Sequence, residues 1–222
     1  MYLKFEAKNN KMKIGIIGSG SMGANIGRIW ANCGHQIMFS YSRNEEKLNK
    51  LAEDAGNNAK VGNPKEAVAF GDVILLSVPW SQVSNALKAA GDLEDKVLFT
   101  CVNALKPDMS GLEVGTTTSA AEEIAKLAPK AKVVEALPPF SQILASDSRR
   151  IANEQPTAFY CGDDPQAKAI VARLLEELDL EAVDAGGLIN ARYLEPSGFL
   201  TIQLGYGMNM GTRLSLKLIK ED

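Results

Sequence analysis

The chain has 222 residues, 45% of them hydrophobic and 23% charged, with a net charge of -3; that is enough apolar content to bury a substantial core in one domain with an elaboration and to fold unaided. The charge balance leaves no basic footprint for nucleic acid, and no apolar stretch approaches the roughly 18 residues that span a bilayer. Cys33, Cys101 and Cys161 are far apart and odd in number. They read as small buried hydrophobes in a reducing cytoplasm, not as a disulfide framework or metal ligands.

Residues 1–11 lack the apolar core of a signal peptide and read as a loose extension ahead of the first strand. A strand is expected at 13–17, and the chain then runs through Gly18, Ser19, Gly20, Ser21, Met22 and Gly23 into a helix over 22–32. This Gly-x-Gly-x-x-Gly run between strand and helix is how a dinucleotide pyrophosphate is held. The first glycine makes the tight turn, the second admits the phosphates to the backbone, and the third lets helix and strand pack closely. The phosphates then face the positive end of the helix dipole. His35, the single histidine, falls between this helix and the second strand. Ligands in open α/β sheets bind beyond the carboxyl ends of the strands, so His35 reads as structural.

The second strand, over 36–40, ends without the Asp or Glu that accepts the ribose hydroxyls of NAD. In its place Ser42, Arg43 and Lys47 offer a hydroxyl, a guanidinium and an ammonium, which suits the 2′-phosphate of NADP(H). The alternative is a solvated helix start. Helices are expected at 45–55, 64–70, 81–89, 119–127 and 165–178, and strands at 73–77, 97–101, 132–136, 157–161 and 181–184. Short apolar runs alternating with amphipathic ones describe an α/β fold, a Rossmann-type doubly wound and mainly parallel sheet with helices on both faces and a small helical C-terminal part. Asp163 and Asp164 cap the helix that opens with Pro165, a role preferred over metal binding.

The strand ends carry Ser77, Val78, Pro79 and Trp80, then Asn103, then Ala136, Leu137 and Phe140. This apolar lining suits a flat ring laid against a nicotinamide, where alignment and exclusion of water matter more than a proton relay. Trp80 and Phe140 read equally well as core. Beyond Gly186 and Gly187 the chain reads as largely helical and apolar over 188–219. That segment is expected to pack on its own sheet, line the cleft or meet a second subunit. The division is therefore a dinucleotide-binding domain over 1–185 and a C-terminal segment over 186–222 that covers the cleft, dimerises, or both.

Residues 13–47 and 133–218 resemble the coenzyme F420-dependent NADP oxidoreductases, also called NADPH-dependent F420 reductases. The similarity is strongest in Ser42, Arg43 and Lys47, in the run from Ser77 to Trp80, in Cys161 to Asp164, and in Asp184 to Pro196. The resemblance implies a homodimer that transfers hydride reversibly between NADP(H) and the deazaflavin ring of F420. It implies that Ser19 and the glycines hold the pyrophosphate, and that Ser42, Arg43 and Lys47 hold the 2′-phosphate. Val78, Pro79, Trp80, Asn103, Ala136 and Leu137 then line the nicotinamide and the second ring, with no catalytic side chain assigned. Leu137, Pro138, Pro139 and Phe140 stand where relatives often have polar residues, which leaves a flavin open as the acceptor. Two other readings are a reductase of a small carbonyl or imine, with Lys106 as proton donor, and a non-catalytic NADP-binding sensor module.

Overall fold

The computed structural model describes residues 11–42, 44–56 and 58–221. An eight-stranded sheet forms its centre: β1 (Lys13–Ile17), β2 (Gln36–Ser40), β3 (Ala59–Val61), β4 (Val73–Leu76), β5 (Val97–Thr100), β6 (Lys132–Ala136), β7 (Thr157–Gly162) and β8 (Glu181–Asp184). The spatial order is β3-β2-β1-β4-β5-β6-β7-β8. The neighbours are parallel except for β6 and β7, which run antiparallel.

The interleaved helices are α1 (Ser21–Asn32), α2 (Glu45–Ala55), α3 (Pro64–Phe70), α4 (Val83–Ala90), α5 (Ala120–Leu127), α6 (Ser141–Leu144), α7 (Pro165–Glu176) and α8 (Ala191–Ile202). Successive strand residues point to opposite faces and both faces are covered, so the strands are apolar almost throughout. Ile14, Ile16, Val73, Leu75 and Phe99 pack on the face of α1 and α7. Ile17, Ile74, Leu76 and Leu98 pack on the face of α4, α5 and α8.

The antiparallel step has a consequence for the site. A parallel crossover would carry the chain to the far edge of the sheet, whereas β7 can start from the edge at which β6 ends. Residues 137–156, with α6, therefore stay at the carboxyl edge, and Thr157 opens β7 there.

Three readings fail locally, the first being that of Cys33, expected as a small buried hydrophobe but exposed at the end of α1. β3 has three residues with Lys60 at its centre and lies at the sheet edge, too short and too polar for alternation to reveal it. The C-terminal segment is helical only as far as 207: α8 passes into a π-turn over Gln203–Gly207 and the chain then runs without helix to 221. Asn209 (φ 55°) and Gly211 (φ 81°) adopt left-handed conformations that stop a helix. The tail instead lies along β7, with Thr157 donating its N–H to the Leu216 carbonyl at 3.1 Å. Lys217 pairs with Glu181 at 2.9 Å. Among the described residues no helix is long and apolar enough to cross a membrane. Residues 1–10 of the expected extension lie outside the described residues.

Candidate active site

The turn from β1 to α1 is clamped between two neighbouring strands. Gly18 donates its N–H to the Ser40 carbonyl at 3.1 Å, and its φ of +108° is open to few other residues. A Cβ there would stand 2.3 Å from the Ser77 carbonyl, so the turn and the end of β4 are in contact. Ser19 is buried and its hydroxyl donates to Ser40 O at 2.9 Å. That hydroxyl pins the turn and leaves only the backbone of Ser19 to meet a phosphate.

Gly20, the N-cap of α1, is open: a Cβ would meet nothing within 4 Å. No side chain caps α1 and no acid stands in its first turn, so its orphan N–H groups and positive dipole end are available to an anion. Ser21 is exposed beside it, and Gly23 is buried against the Gly18 carbonyl.

At the end of β2, Tyr41 has a left-handed backbone (φ 59°), which turns Ser42 outward. The Ser42 hydroxyl is exposed and linked to Asn44, and Asn44 caps α2 by accepting the Lys47 N–H at 2.8 Å. Lys47 is exposed on the first turn of α2. Arg43 lies outside the described residues. After β4, Ser77 donates its N–H to the Ile17 carbonyl at 2.9 Å. Val78 is buried in the core, Pro79 is exposed and Trp80 is half-buried. The glycine turn, Tyr41, Ser42, Lys47 and residues 77–80 thus lie at the carboxyl ends of β1, β2 and β4, which is the topological switch point of this sheet.

Next to this point a cavity of about 230 Å³ opens at the ends of β5, β6 and the start of β7. Its floor includes Cys101, Asn103 and Leu137, Met22 of α1 reaches it from the nucleotide side, and Gly198, Thr201 and Ile202 of α8 roof it. Pro138, Pro139 and Phe140 line it as well. Of the residues expected in a ring cleft, the structure brings Asn103 and Leu137 into the wall. It keeps Val78 and Ala136 in the core, and Pro79 and Trp80 do not line the cavity.

The segment over 188–219 is expected to be able to line the cleft as helix; Leu214 and Leu216 do form a further wall, but as extended tail along β7, a placement that nothing in the sequence specifies. Sequence reasoning missed Glu135. The signal was there: a single carboxylate inside the apolar strand Lys132–Ala136.

Asn103 donates its amide Nδ2 to the main-chain oxygen of Glu195 at 3.0 Å. The Glu195 carboxylate, fully buried, accepts the N–H groups of Ala120 and Ala121 at 2.8 and 3.0 Å and so caps α5. Burial nevertheless pushes its pKa up to about 7 against those two bonds. Cys101 is pushed up to about 12 by burial and then by Glu135, so it remains a thiol. Lys106 is exposed and outside the cavity wall. His35 lies at the amino end of β2, where Nδ1 accepts the Met12 N–H at 3.0 Å and Nε2 faces Glu177 at 2.7 Å. Among the described residues no cluster of acids, cysteines and histidine could hold a metal.

Residues 13–104 match the family described as NADP oxidoreductase, coenzyme F420-dependent. The chain is similar to an F420-dependent NADP reductase of Methanocaldococcus jannaschii, with 26% identity over 201 residues covering 83% of this chain and 88% of that one. A solved structure of a candidate F420-dependent NADP-reductase from Arthrobacter sp. FB24 superposes with a TM-score of 0.84 and 25% identity, over 94% of this chain and 100% of the other. A reductive aminase from Aspergillus terreus, solved with NADPH4, shares the fold at a TM-score of 0.65 and 19% identity, over 90% of this chain and 64% of that one. The chain is thus similar to the coenzyme F420-dependent NADP oxidoreductases, and residues 13–104 carry the match to that family model.

Proposed function

We propose that the chain binds NADP(H) in the crevice at the ends of β1, β2 and β4 and transfers a hydride between its nicotinamide and a flat ring, coenzyme F420 or a flavin, seated in the adjoining cavity. One observation carries this reading: a mainly apolar cavity adjoins the uncapped N-terminus of α1, with Met22 in its wall. The relatives named as F420-dependent NADP reductases support it.

The nicotinamide supplies the hydride, and the chain supplies its placement. The backbone of Gly18 to Gly23 takes the pyrophosphate, and Ser42, Arg43 and Lys47 take the 2′-phosphate. Ser77 to Trp80 flank the nicotinamide, with Asn103 and Leu137 under the second ring. The ionisable side chains in the cavity wall are Cys101 and Tyr206. Alignment and exclusion of water therefore dominate the catalysis. A carbonyl or imine reductase would need a proton donor at the strand ends; Lys106 is outside the cavity, and Tyr206, the phenol in its wall, sits on the π-turn after α8 and not at a strand end. A sensor module would need no apolar cavity beside its nucleotide.

The same reading places the protein in the cytoplasm, supported by three free thiols, and as a homodimer, supported by the apolar outer face of α8. Residues 186–222 act as cover for the cleft.

The test is NADPH oxidation by the purified protein with F420, FMN, FAD and riboflavin in turn. Turnover with F420 is expected. Turnover with flavins alone would make it a flavin reductase, and tight NADPH binding without turnover would overturn the reading.

A further inference from the structure

β6 carries its one buried charged residue, Glu135, into the middle of the sheet. It is 0% exposed, and neither carboxyl oxygen has a hydrogen-bond partner among the described residues. Thr100 of β5 and Cys161 of β7 stand beside it in register. The nearby Asn103 Oδ1 is likewise buried and without a donor.

α8 brings the buried carboxylate of Glu195 close enough to act on Glu135 through its charge, without a hydrogen bond between them, and the main-chain oxygen of Glu195 holds the Asn103 amide. The charged groups of the surrounding elements offer Glu135 no counter-ion. Arg192 of α8 is held bidentately by Glu122 of α5 at 2.7 and 2.8 Å. Lys168 of α7 is held by Asp184 at 2.9 and 3.0 Å, and Asp163 accepts the Leu188 N–H. The remaining neighbours, Cys101 and Cys161, are uncharged thiols raised by burial.

Both thiols donate elsewhere, Cys101 to the Leu76 carbonyl and Cys161 to the Leu188 carbonyl, and no donor reaches either Glu135 oxygen, so the buried carboxyl is better accommodated protonated than charged. Burial, and then the Glu195 carboxylate, hold the Glu135 pKa well above the ordinary carboxylate range. Above about pH 7 the single negative charge rests on Glu195, where two N–H groups at the α5 N-terminus receive it.

We infer that Glu135 is a positioning residue for the acceptor cleft: as the uncharged partner of Glu195 it sets where α8, with Gly198 and Thr201, stands over the bound ring, and where Asn103 stands beneath it. This rests on reading the cavity as the acceptor site. A second charge at Glu135 would repel Glu195. β6 is fixed by ladders to β5 and β7, so α8 is the element that yields. The nucleotide crevice, built on β1, β2, β4 and α1, is not touched.

The experiment compares the full chain with Glu135→Gln and Glu135→Met from neutral to alkaline pH, measuring the acceptor KM, kcat and the NADPH Kd. The expected wild-type result is an acceptor KM that rises about tenfold per pH unit above the Glu135 transition, as for binding to the protonated form alone, with a flat NADPH Kd. Both variants should lack that rise. The infrared spectrum of the resting protein, recorded at a pH above the Glu195 value of about 7, should show the carbonyl stretch of a protonated carboxylic acid, shifted in D2O and absent from Glu135→Gln. This second readout needs no acceptor, so failure to turn over F420 or flavins would sink the functional reading while the spectrum still decides the state of Glu135. A missing band, or an alkaline rise in KM that persists in the variants, would overturn the inference.

Discussion

Gly20 and Gly23 are three positions apart in one motif, yet different physical demands select them, and the difference can be measured. At Gly23 a Cβ would stand 2.1 Å from the Gly18 carbonyl. Gly23→Ala must therefore shift the turn, at a cost of about 1–3 kcal/mol as for other overpacked sites, and a fall in Tm should report it. At Gly20 a Cβ meets nothing and the backbone (φ -74°, ψ -172°) suits any residue. Gly20→Ala should keep the wild-type Tm and lose NADPH affinity, because the methyl occupies the approach of the pyrophosphate. If Gly20→Ala bound NADPH normally, the phosphates would not lie over this turn. The neighbouring phosphate clamp has its own test. Arg43→Ala with Lys47→Ala should weaken NADPH binding by roughly 1.5–3 kcal/mol for each charged hydrogen bond lost and leave NADH affinity unchanged. Equal loss for both nucleotides would remove the 2′-phosphate from this end of β2. Glu135 adds a signature in stability. Its folded pKa is raised, so the folded chain keeps a proton that the unfolded chain releases. The stabilisation is complete below the ordinary carboxylate range and is lost as pH rises toward the folded value. Glu135→Gln escapes that loss, and its Tm advantage over wild type should grow with pH.

At the scale of elements, what could be read in advance was what local chemistry dictates. The bounds of β1, β2, β6, β8, α2 and α3 fall where alternation, caps and Pro64 put them, and the glycine turn shows its geometry in its spacing. The arrangement of the cleft was not legible, because it depends on contacts distant in sequence. The direction of β7 is set by pairing, the tail reaches Thr157 from 59 positions away (Leu216 carbonyl), and Glu135 is left buried without a partner by neighbours distant from it in the chain. The roof helix is the place to test this. Gly198 lies where a Cβ would come 3.1 Å from Asn103 Nδ2 and 3.2 Å from Leu137 Cδ2. Gly198→Leu should push a side chain into the cavity or lift α8, raising the acceptor KM steeply with the NADPH Kd unchanged. A shift in the NADPH Kd instead would place the nicotinamide, not the acceptor, under α8.

Among the described residues, the α8 segment presents an apolar face that its own fold leaves uncovered. Ile189, Tyr193 and Leu200 are 56%, 73% and 54% exposed, and their spacings of four and seven residues set them along one side of the α8 segment. Leu127, at the end of α5 and 51% exposed, is a further large apolar side chain on an element in contact with α8. Apolar side chains aligned in this way characterise an interface, and a second copy of the same chain can cover such a face about a two-fold axis with each patch meeting its twin. Sedimentation at micromolar concentration should therefore show a dimer, and Tyr193→Arg a monomer, since a charge at the centre of an isologous contact opposes its own image. The monomer should bind NADPH as the wild type does, because Gly18 to Gly23 and the ends of β2 and β4 lie on other elements. Its acceptor KM should rise, because the inner side of α8 is the cleft roof and a partner pressing on the outer side holds it down. A wild-type chain that sediments as a monomer would sink the dimer. A monomeric variant with an unchanged acceptor KM would separate assembly from the cleft.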